Sequence, residues 1–352
     1  ITGLLPSSAA GRTNLMVQEV SGADALIAVD LLDANGSVIV TKEDFVPAFQ
    51  HIRMSDFVPA GAAAAVIRLR GTTGSVLAYA TPLDALSGDT WVVTDWPRVQ
   101  GFDPAGRQII PIAGKLEGAN ANYFRSTMAL VNQAASAASV VARFVSNAGT
   151  VTEKTVTVPA RGTVSYGDVI GELFALPSGL GFLEIDPQGT PVVVTSRTFA
   201  TIGTDPKTFG TGVPAVAPAS MKTGDTERIS GFDDADQAIV TAKTPATFRT
   251  NLGLVETSGK GVTVRVTINF RHPVSTLVTT VGSGSKEFLL APRQFLLLQG
   301  VAAQILGDYR ASLKGSLKDL FVDIEVVSGD GEVIAFTSSV DNGTGDQLFK
   351  LQ

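Results

Sequence analysis

Two histidines, His51 and His272, are the only imidazole side chains in the sequence, and no cysteine is present. Acid–base catalysis by histidine requires a nucleophile and an orienting partner close to the ring, and neither histidine stands in a motif that supplies them. The lack of cysteine excludes disulfides, thiolate catalysis and cysteine-ligated metal clusters. We therefore expect no catalytic residue and no cofactor, and we interpret both histidines as ordinary surface or turn residues.

Acidic residues cluster at two places where several oxygens could bind calcium. Asp233, Asp234 and Asp236 form one cluster, and Asp341 and Asp346 flank the other. Neither cluster follows the twelve-residue loop with a terminal glutamate that a helix–loop–helix calcium site uses. The pattern leaves calcium binding open but favours solvated acidic loops, so we predict no metal site.

Residues 253–260 contain the glycines and the lysine of a phosphate-binding loop, but at the wrong spacing. Five residues separate Gly253 from Gly259 where the motif requires four, and Gly261 follows Lys260 where a magnesium-binding serine or threonine should stand. Nucleotide binding is not expected at this loop.

Composition excludes several classes of partner. The net charge is −6 and charged residues make up only 17% of the chain, so no basic surface is available for nucleic acid. No apolar run approaches the roughly 20 residues of a membrane-spanning helix, which predicts no membrane insertion. The abundance of small residues such as glycine is common in secreted and cell-surface proteins, and we expect one of those two locations.

A phrase beginning with arginine occurs three times, starting at Arg12, Arg125 and Arg249. The spacing between copies is that of a whole small domain rather than of a solenoid repeat. It predicts three tandem modules with the boundaries 1–97, 98–210 and 211–352, named modules 1, 2 and 3. The three arginines are interpreted as structural, because a residue that recurs in every module should support the fold that the modules share.

Alternation with a period of two runs through each module and predicts half-buried strands. About seven short strands per module, separated by turns such as Asn35-Gly36, are typical of an antiparallel β-sandwich. The predicted fold class is therefore all-β, with three tandem immunoglobulin-like β-sandwiches. Short helices are expected only at residues 167–174 and 299–306. The turn of the first hairpin in module 3 is expected at residues 271–273. The predicted core includes Val29, Leu31, Val141, Phe144, Val193, Val264, Val266 and Ile334.

Module 3 carries an insertion at residues 218–247 that is polar and acidic. It lacks a continuous apolar stripe, so we expect it to project from the module and to form no hydrophobic core of its own.

Module 2 resembles a bacterial extracellular β-sandwich repeat. The resemblance rests on a proline-containing first strand, the arginine phrase, the Val158-Pro159-Ala160 step and the sequence at residues 193–199. Such repeats occur in tandem in large secreted or surface-anchored proteins of poorly characterised function. The resemblance implies an architecture and a location, and it implies no activity.

These patterns favour a non-enzymatic structural protein, a subunit of a surface filament or layer. The alternative is an adhesion or carbohydrate-binding stalk, in which exposed aromatic residues such as Trp91 and Trp96 would stack on sugars. Two molecules placed end to end would recreate an internal module joint, which predicts head-to-tail self-association through strand edges, or binding to other surface proteins. The predicted interface residues are Ile1, Leu4, Leu5, Leu348, Phe349 and Leu351.

Overall fold

The computed structural model describes residues 1–71, 73–118, 122–218, 221–235, 248–273, 279–313, 315–341 and 346–352. Their strands form several antiparallel sheets, which confirms the all-β prediction. Among these residues no helix has the length and apolar character needed to cross a membrane. Two compact units are present: Ile1–Arg143 with Glu153–Ser178 and Glu184–Ala217, and Phe144–Thr152 with Gly179–Leu183 and Pro218–Gln352.

Module 1 consists of two three-stranded sheets with orders β4-β1-β6 and β3-β2-β5. The strands are β1 (Gly11–Glu19), β2 (Ala25–Leu32), β3 (Val38–Val46), β4 (His51–Met54), β5 (Ala64–Leu69) and β6 (Val76–Asp84), and helix α1 (Trp96–Gln100) follows them. Apolar side chains of both sheets meet in one core, as in a sandwich. That core includes Leu15, Val17, Ile27, Val29 and Leu31.

The next eight strands form one sheet with the order β10-β9-β12-β7-β8-β13-β14, and β11 pairs with β8. The strands are β7 (Gln108–Glu117), β8 (Asn122–Asn132), β9 (Ala138–Ser146), β10 (Val151–Val158), β11 (Thr163–Tyr166), β12 (Gly179–Asp186), β13 (Val192–Ile202) and β14 (Phe209–Pro214). A π-helical turn at Val169–Leu173 occupies the predicted helix position. Asp168 caps it by accepting a hydrogen bond from the Gly171 N–H at 2.9 Å.

The remaining strands form two four-stranded sheets with orders β15-β20-β17-β18 and β19-β16-β21-β22. The strands are β15 (Thr226–Asp234), β16 (Phe248–Glu256), β17 (Val262–Pro273), β18 (Thr279–Leu290), β19 (Phe295–Leu298), β20 (Leu317–Gly329), β21 (Val333–Asp341) and β22 (Gln347–Leu351). Helices α2 (Val301–Leu306) and α3 (Asp308–Ser312) follow β19, and α2 matches the predicted helix. One core joins both sheets and includes Leu252, Val264, Val266, Ile268 and Ile324.

Seven of the eight predicted core residues are buried, and Val141 is the exception. In β9 the inward side chains are Ala138, Val140, Ala142 and Phe144, which leaves Val141 half-buried on the opposite face. The two adjacent valines obscure the phase of the alternation, and the prediction chose the wrong one.

Three expectations on chain boundaries are corrected. β17 continues through residues 271–273, so these residues belong to a strand and do not form the predicted hairpin turn. Part of the insertion at 218–247 is strand β15, whose Ile229 and Phe232 pack into the core; it therefore does not merely project. The boundary at 210/211 falls inside β14, which pairs with β13 over Phe209–Pro214. The division into three modules stays a prediction.

Candidate functional site

The residue directly after each repeated arginine carries a buried hydroxyl that ties down the opening segment of its module. Thr13 accepts from the Leu5 N–H at 2.7 Å and donates to the Leu5 carbonyl at 2.9 Å; Ser126 accepts from the Gly114 N–H at 2.9 Å; and Thr250 donates to the Asp233 carbonyl at 3.2 Å. Because this contact recurs in all three modules, it explains the triplicated phrase better than the arginine does.

The three arginines differ in their surroundings. Arg12 is exposed, and Arg249 is half-buried, which lowers its guanidinium pKa through loss of solvent. The Arg125 guanidinium lies over the rings of Tyr123 and Phe199, at 5.7 and 5.3 Å from their centroids. These surroundings therefore differ between the modules, and the structural role of the three arginines stays a prediction.

A second triplicated position stands seven residues after each arginine, at the end of β1, β8 and β16. Glu19 accepts hydrogen bonds from the N–H groups of Ser21, Gly22, Phe49 and Ser75. Its counterpart Glu256 binds Ser258, Gly259, Arg293 and Glu332 in the same way, and both carboxylates are fully buried. Each carboxylate therefore organises three loops at one end of its module.

In module 2 the equivalent position, Asn132, carries an amide, which also forms hydrogen bonds with the surrounding loops. Asn132 accepts from the Ala134 N–H at 2.9 Å and donates to the carbonyls of Ser136, Val158 and Pro159. Burial raises the pKa of Glu19 and of Glu256, but the converging donors outweigh it and hold both pKa values below the ordinary range of a glutamate. Both carboxylates are thus charged structural anchors, with no free oxygen offered to a substrate.

Modules 1 and 2 meet through a buried ion pair within the first unit. The Arg197 guanidinium pairs with the Asp89 carboxylate and lies 3.8 Å from the centroid of the Trp91 ring. Asp89 also accepts from the Gly210 N–H at 2.9 Å, and Asp84 accepts from the Thr208 N–H at 3.1 Å. Trp91 is therefore covered by protein and is no open platform for a sugar.

A second contact joins the same two modules at the turn between β2 and β3. The Thr163 N–H donates to the Ala34 carbonyl at 2.9 Å. Gly36 adopts a φ of +84° and lies directly against the backbone of Ala160 and Arg161, where a Cβ would collide. Contacts at two separate points fix this joint, and the Asn35-Gly36 turn serves the joint as well as the hairpin.

The acidic cluster of β15 is occupied by cationic side chains of the protein. Asp233 pairs with Lys318 at 2.5 Å, and buried Asp234 pairs with Arg310 at 2.8 Å. Burial raises the Asp234 pKa and Arg310 opposes that rise. Asp236 and residues 342–345 lie outside the described residues, and within the described ranges no group of acidic or histidine side chains could hold a metal ion.

The remaining candidates for chemistry have structural surroundings. His51 is exposed at the start of β4, whereas His272 is buried in β17, which corrects its assignment to a turn. Gly253 lies inside β16 opposite Phe336, whose ring covers the space that a side chain would need. The glycine thus makes room for an aromatic ring and is not part of a phosphate loop.

The predicted interface residues fall into two groups. Leu4 is buried in the core of module 1, Ile1 and Leu5 pack against the same core, and the Ile1 nitrogen donates to the Ala65 carbonyl at 2.9 Å. In the second unit β22 is the last strand of its sheet. Leu348 is exposed there, and Leu351 and the Phe349 ring, which stacks on Phe336 with centroids 5.0 Å apart, are half-buried. A role in association stays a prediction for both groups.

A cleft of about 660 Å³ lies beside β5 in the first unit. Its walls are residues 65–69 of β5, residues 76–78 of β6 and the start of the chain at Ile1; Arg98, Val99 and Arg161 also line it. Val66, Leu69, Leu77 and Val99 expose apolar surface, with exposures between 39% and 48%. The cleft therefore combines exposed apolar side chains with charged ones, among them Arg68, Asp95 and Arg98.

No family model matches the chain, and no curated protein matches it. Among solved structures, a tetra-tandem repeat in the extending region of a large adhesion protein is 13% identical, over all of this chain and 72% of that one, with a TM-score of 0.15. The infectious bursal disease virus VP2 subviral particle is 9% identical over 98% and 76% of the two chains, with a TM-score of 0.14. Scores this low leave the fold to be judged from the sheets themselves.

Proposed function

We propose that this chain is a non-enzymatic structural protein of the cell surface or the secreted fraction, built of three immunoglobulin-like β-sandwich modules that associate head to tail into a filament or layer. The observation that carries the proposal is the buried joint between modules 1 and 2. A linker that only tethered two modules would need no buried ion pair between Asp89 and Arg197. A fixed joint suits a protein whose modules must hold a set spacing.

The use of the polar groups supports the non-enzymatic part of the proposal. Four carboxylates are buried or pair with a buried group, and each accepts hydrogen bonds from several donors or from an arginine: those of Glu19, Glu256, Asp89 and Asp234. Two carboxylates, those of Asp30 and Asp95, do line the cleft, and both have partners: Asp30 pairs with Arg68, and Asp95 caps helix α1 by accepting from the Arg98 N–H. The carbohydrate-binding alternative loses Trp91 as a platform, because Trp91 lies under Arg197, whereas Trp96 is half-buried at the start of α1.

The test is the association state of the whole chain. Sedimentation velocity over a range of concentrations should show a ladder of species that grows with concentration, and negative-stain microscopy should show linear or layered assemblies. A monomer at every concentration, or a closed dimer that grows no further, contradicts the proposal, because a head-to-tail contact need not close.

A further inference from the structure

Strand β18 ends the sheet β15-β20-β17-β18, and in the described part of the chain no strand pairs with its outer edge. The direction of its backbone groups follows from the pairing of its neighbours. In β20, the Val326 N–H donates to the Asp225 carbonyl at 3.0 Å, away from β17. By the alternation of antiparallel pairs, Arg265 of β17 then bonds to β20, and Val266 bonds to β18. Ser285 and every second residue around it therefore direct their N–H and carbonyl groups outward.

The side chains of β18 divide between a core face and a solvent face. Leu290 is buried and Phe288 packs against the core, whereas Val281 and Leu289 are 80% and 76% exposed. Among the large apolar side chains of the described residues, these two are the most exposed. Val281 precedes Ser285 by four residues and Leu289 follows it by four, so period-two alternation puts both on the same face. An exposed apolar pair placed symmetrically about one residue is what a self-complementary strand presents.

Two other end strands carry charges near their centres that protect their edges. β3 has three charged residues in succession at 42–44, and β10 has two at 153–154. Such charges are a common defence against strand pairing between molecules. β18 has 12 residues, and residues 279–285 are uncharged. More than half of the length of β18 therefore lacks this defence.

The charges of β18 restrict the register in which it can pair with an identical strand. In a symmetric dimer the two-fold axis is perpendicular to the joined sheet, so the strand pairs antiparallel with itself about one residue. An axis at Lys286 or Glu287 would set like charges directly opposite each other, which is destabilising. An axis at Ser285 instead sets these two charges opposite small uncharged residues, Gly284 and Ser283 of the second copy. The register about Ser285 is therefore free of like-charge contacts within the paired strands.

The same register brings the exposed apolar side chains together. With the axis at Ser285, Val281 of each copy lies opposite Leu289 of the other, and the two central serines exchange both backbone hydrogen bonds. An axis at Gly284 also avoids like charges, but it sets Leu289 opposite Thr279 and leaves it without an apolar partner. Apolar side chains that lie directly opposite each other stabilise paired strands. Apolar burial and the absence of charge repulsion therefore favour the axis at Ser285.

We propose that β18 is a self-association edge of this chain, at which the β18 strands of two copies pair antiparallel about Ser285 and join their four-stranded sheets into one. The contact is isologous and closes on itself, unlike the head-to-tail contact of the proposed function. The inference therefore goes beyond the proposed function and does not depend on it. Where both contacts form, the two-fold contact links neighbouring filaments sideways and gives a layer.

The absence of cysteine makes cross-linking a direct test. A Val281→Cys chain and a Leu289→Cys chain are treated with a short bismaleimide, each alone and then mixed, and the covalent dimer is measured on a denaturing gel. The mixture should cross-link about tenfold faster than either chain alone, because unlike positions lie opposite each other and like positions lie roughly 27 Å apart along the paired strands. A Ser285→Cys chain, whose cysteines meet at the axis, should cross-link as fast as the mixture. Equal rates in the first three samples, or a Ser285→Cys chain as slow as the chains tested alone, overturn the proposed register.

A charge at the axis separates this inference from the proposed function. Ser285→Lys sets two ammonium groups opposite each other in the paired strands, and it should weaken the two-fold contact about tenfold in sedimentation equilibrium. Ser328→Lys, at an exposed position of β20 in the same sheet, is the matched control and should leave association unchanged. Association that Ser285→Lys leaves unchanged overturns the β18 contact and leaves the proposed function standing. A closed dimer that Ser285→Lys dissociates supports the contact and contradicts the proposed function, and a native chain that stays monomeric at every concentration contradicts both.

Discussion

Arg197 of β13 and Asp89 of module 1 form an ion pair in which both side chains are nearly inaccessible to solvent. The same guanidinium donates to the Thr208 hydroxyl at 2.9 Å, so the charge is held from both modules. A buried pair of this kind contributes little net stability but strongly penalises the loss of one partner. The joint is therefore specified by charge as well as by packing.

Replacing Asp89 with alanine should destabilise the joint, because Arg197 would remain buried without its carboxylate. We expect the free energy of unfolding to fall by about 3–5 kcal/mol, measured by urea denaturation. The double variant Asp89→Leu with Arg197→Met should lose less, because neither member of the pair is left as a buried charge without its partner. Glu153→Ala, which breaks the exposed pair with Arg143, is the control and should cost about 0–1 kcal/mol. Equal losses for Asp89→Ala and Glu153→Ala would contradict this account.

Thr13→Val tests the hydroxyl that ties the opening segment of module 1 to β1. Valine has a similar shape, but the N–H and carbonyl of Leu5 would lose their partner. We expect a loss of about 1–3 kcal/mol in the free energy of unfolding. Thr155→Val, at an exposed position in β10, is the matched control. A Thr13→Val chain as stable as the control would show that the tie is dispensable.

The strand content followed from the alternation of apolar residues, but much of the detail did not. In β9, Val140 and Val141 are equally apolar, so the sequence does not indicate which of the two valines faces the core. Helix α1 was missed because it has five residues and shows no helical period; its signals are Asp95 as a cap and Pro97 in the first turn. β15 was taken as a polar insertion because bulges at Ser230 and Phe232 interrupt its period of two.

The candidate site was predictable only in part. The repeated phrase directed attention to its arginines, since charge stands out in an apolar strand. The shared contacts are made by Thr13 and its counterparts, and by Glu19, Asn132 and Glu256, which differ in residue type between modules. A polar residue that ends an apolar strand at the same offset in each copy was the available signal.

Glu256→Gln should remove an acid-sensitive part of the stability of module 3. The folded-state pKa of Glu256 lies below the unfolded value of about 4.3, so its contribution is present above that pH and is lost as the pH falls through the folded pKa. The variant should have a lower free energy of unfolding than the native chain at neutral pH. Its free energy of unfolding should also fall less between neutral pH and a pH below the folded pKa, as measured by urea denaturation under the two conditions. Glu287→Gln, on the exposed strand β18, is the control and should keep the native pH dependence. Parallel pH profiles for native and Glu256→Gln chains would contradict the anchoring role.

Gly253→Ala should destabilise module 3, because the new methyl group would overlap the ring of Phe336. We expect a fall of about 1–3 kcal/mol, the usual cost of overpacking a core. In a chain that already carries Phe336→Leu, the smaller side chain leaves room for the methyl group. Gly253→Ala should therefore lower the free energy of unfolding by less in that chain than in the native chain. A fully additive double variant, measured by thermal and urea denaturation, would show that the two positions do not interact.

Both tryptophans of the chain lie within six residues, and Trp91 is stacked beneath Arg197 at the joint. Intrinsic fluorescence is consequently a local probe, since the second unit contributes no indole to the signal. A change in emission that precedes the loss of far-ultraviolet circular dichroism would mean that modules 1 and 2 part before their sheets melt. The two spectroscopic curves of one titration thereby separate undocking from unfolding without any label.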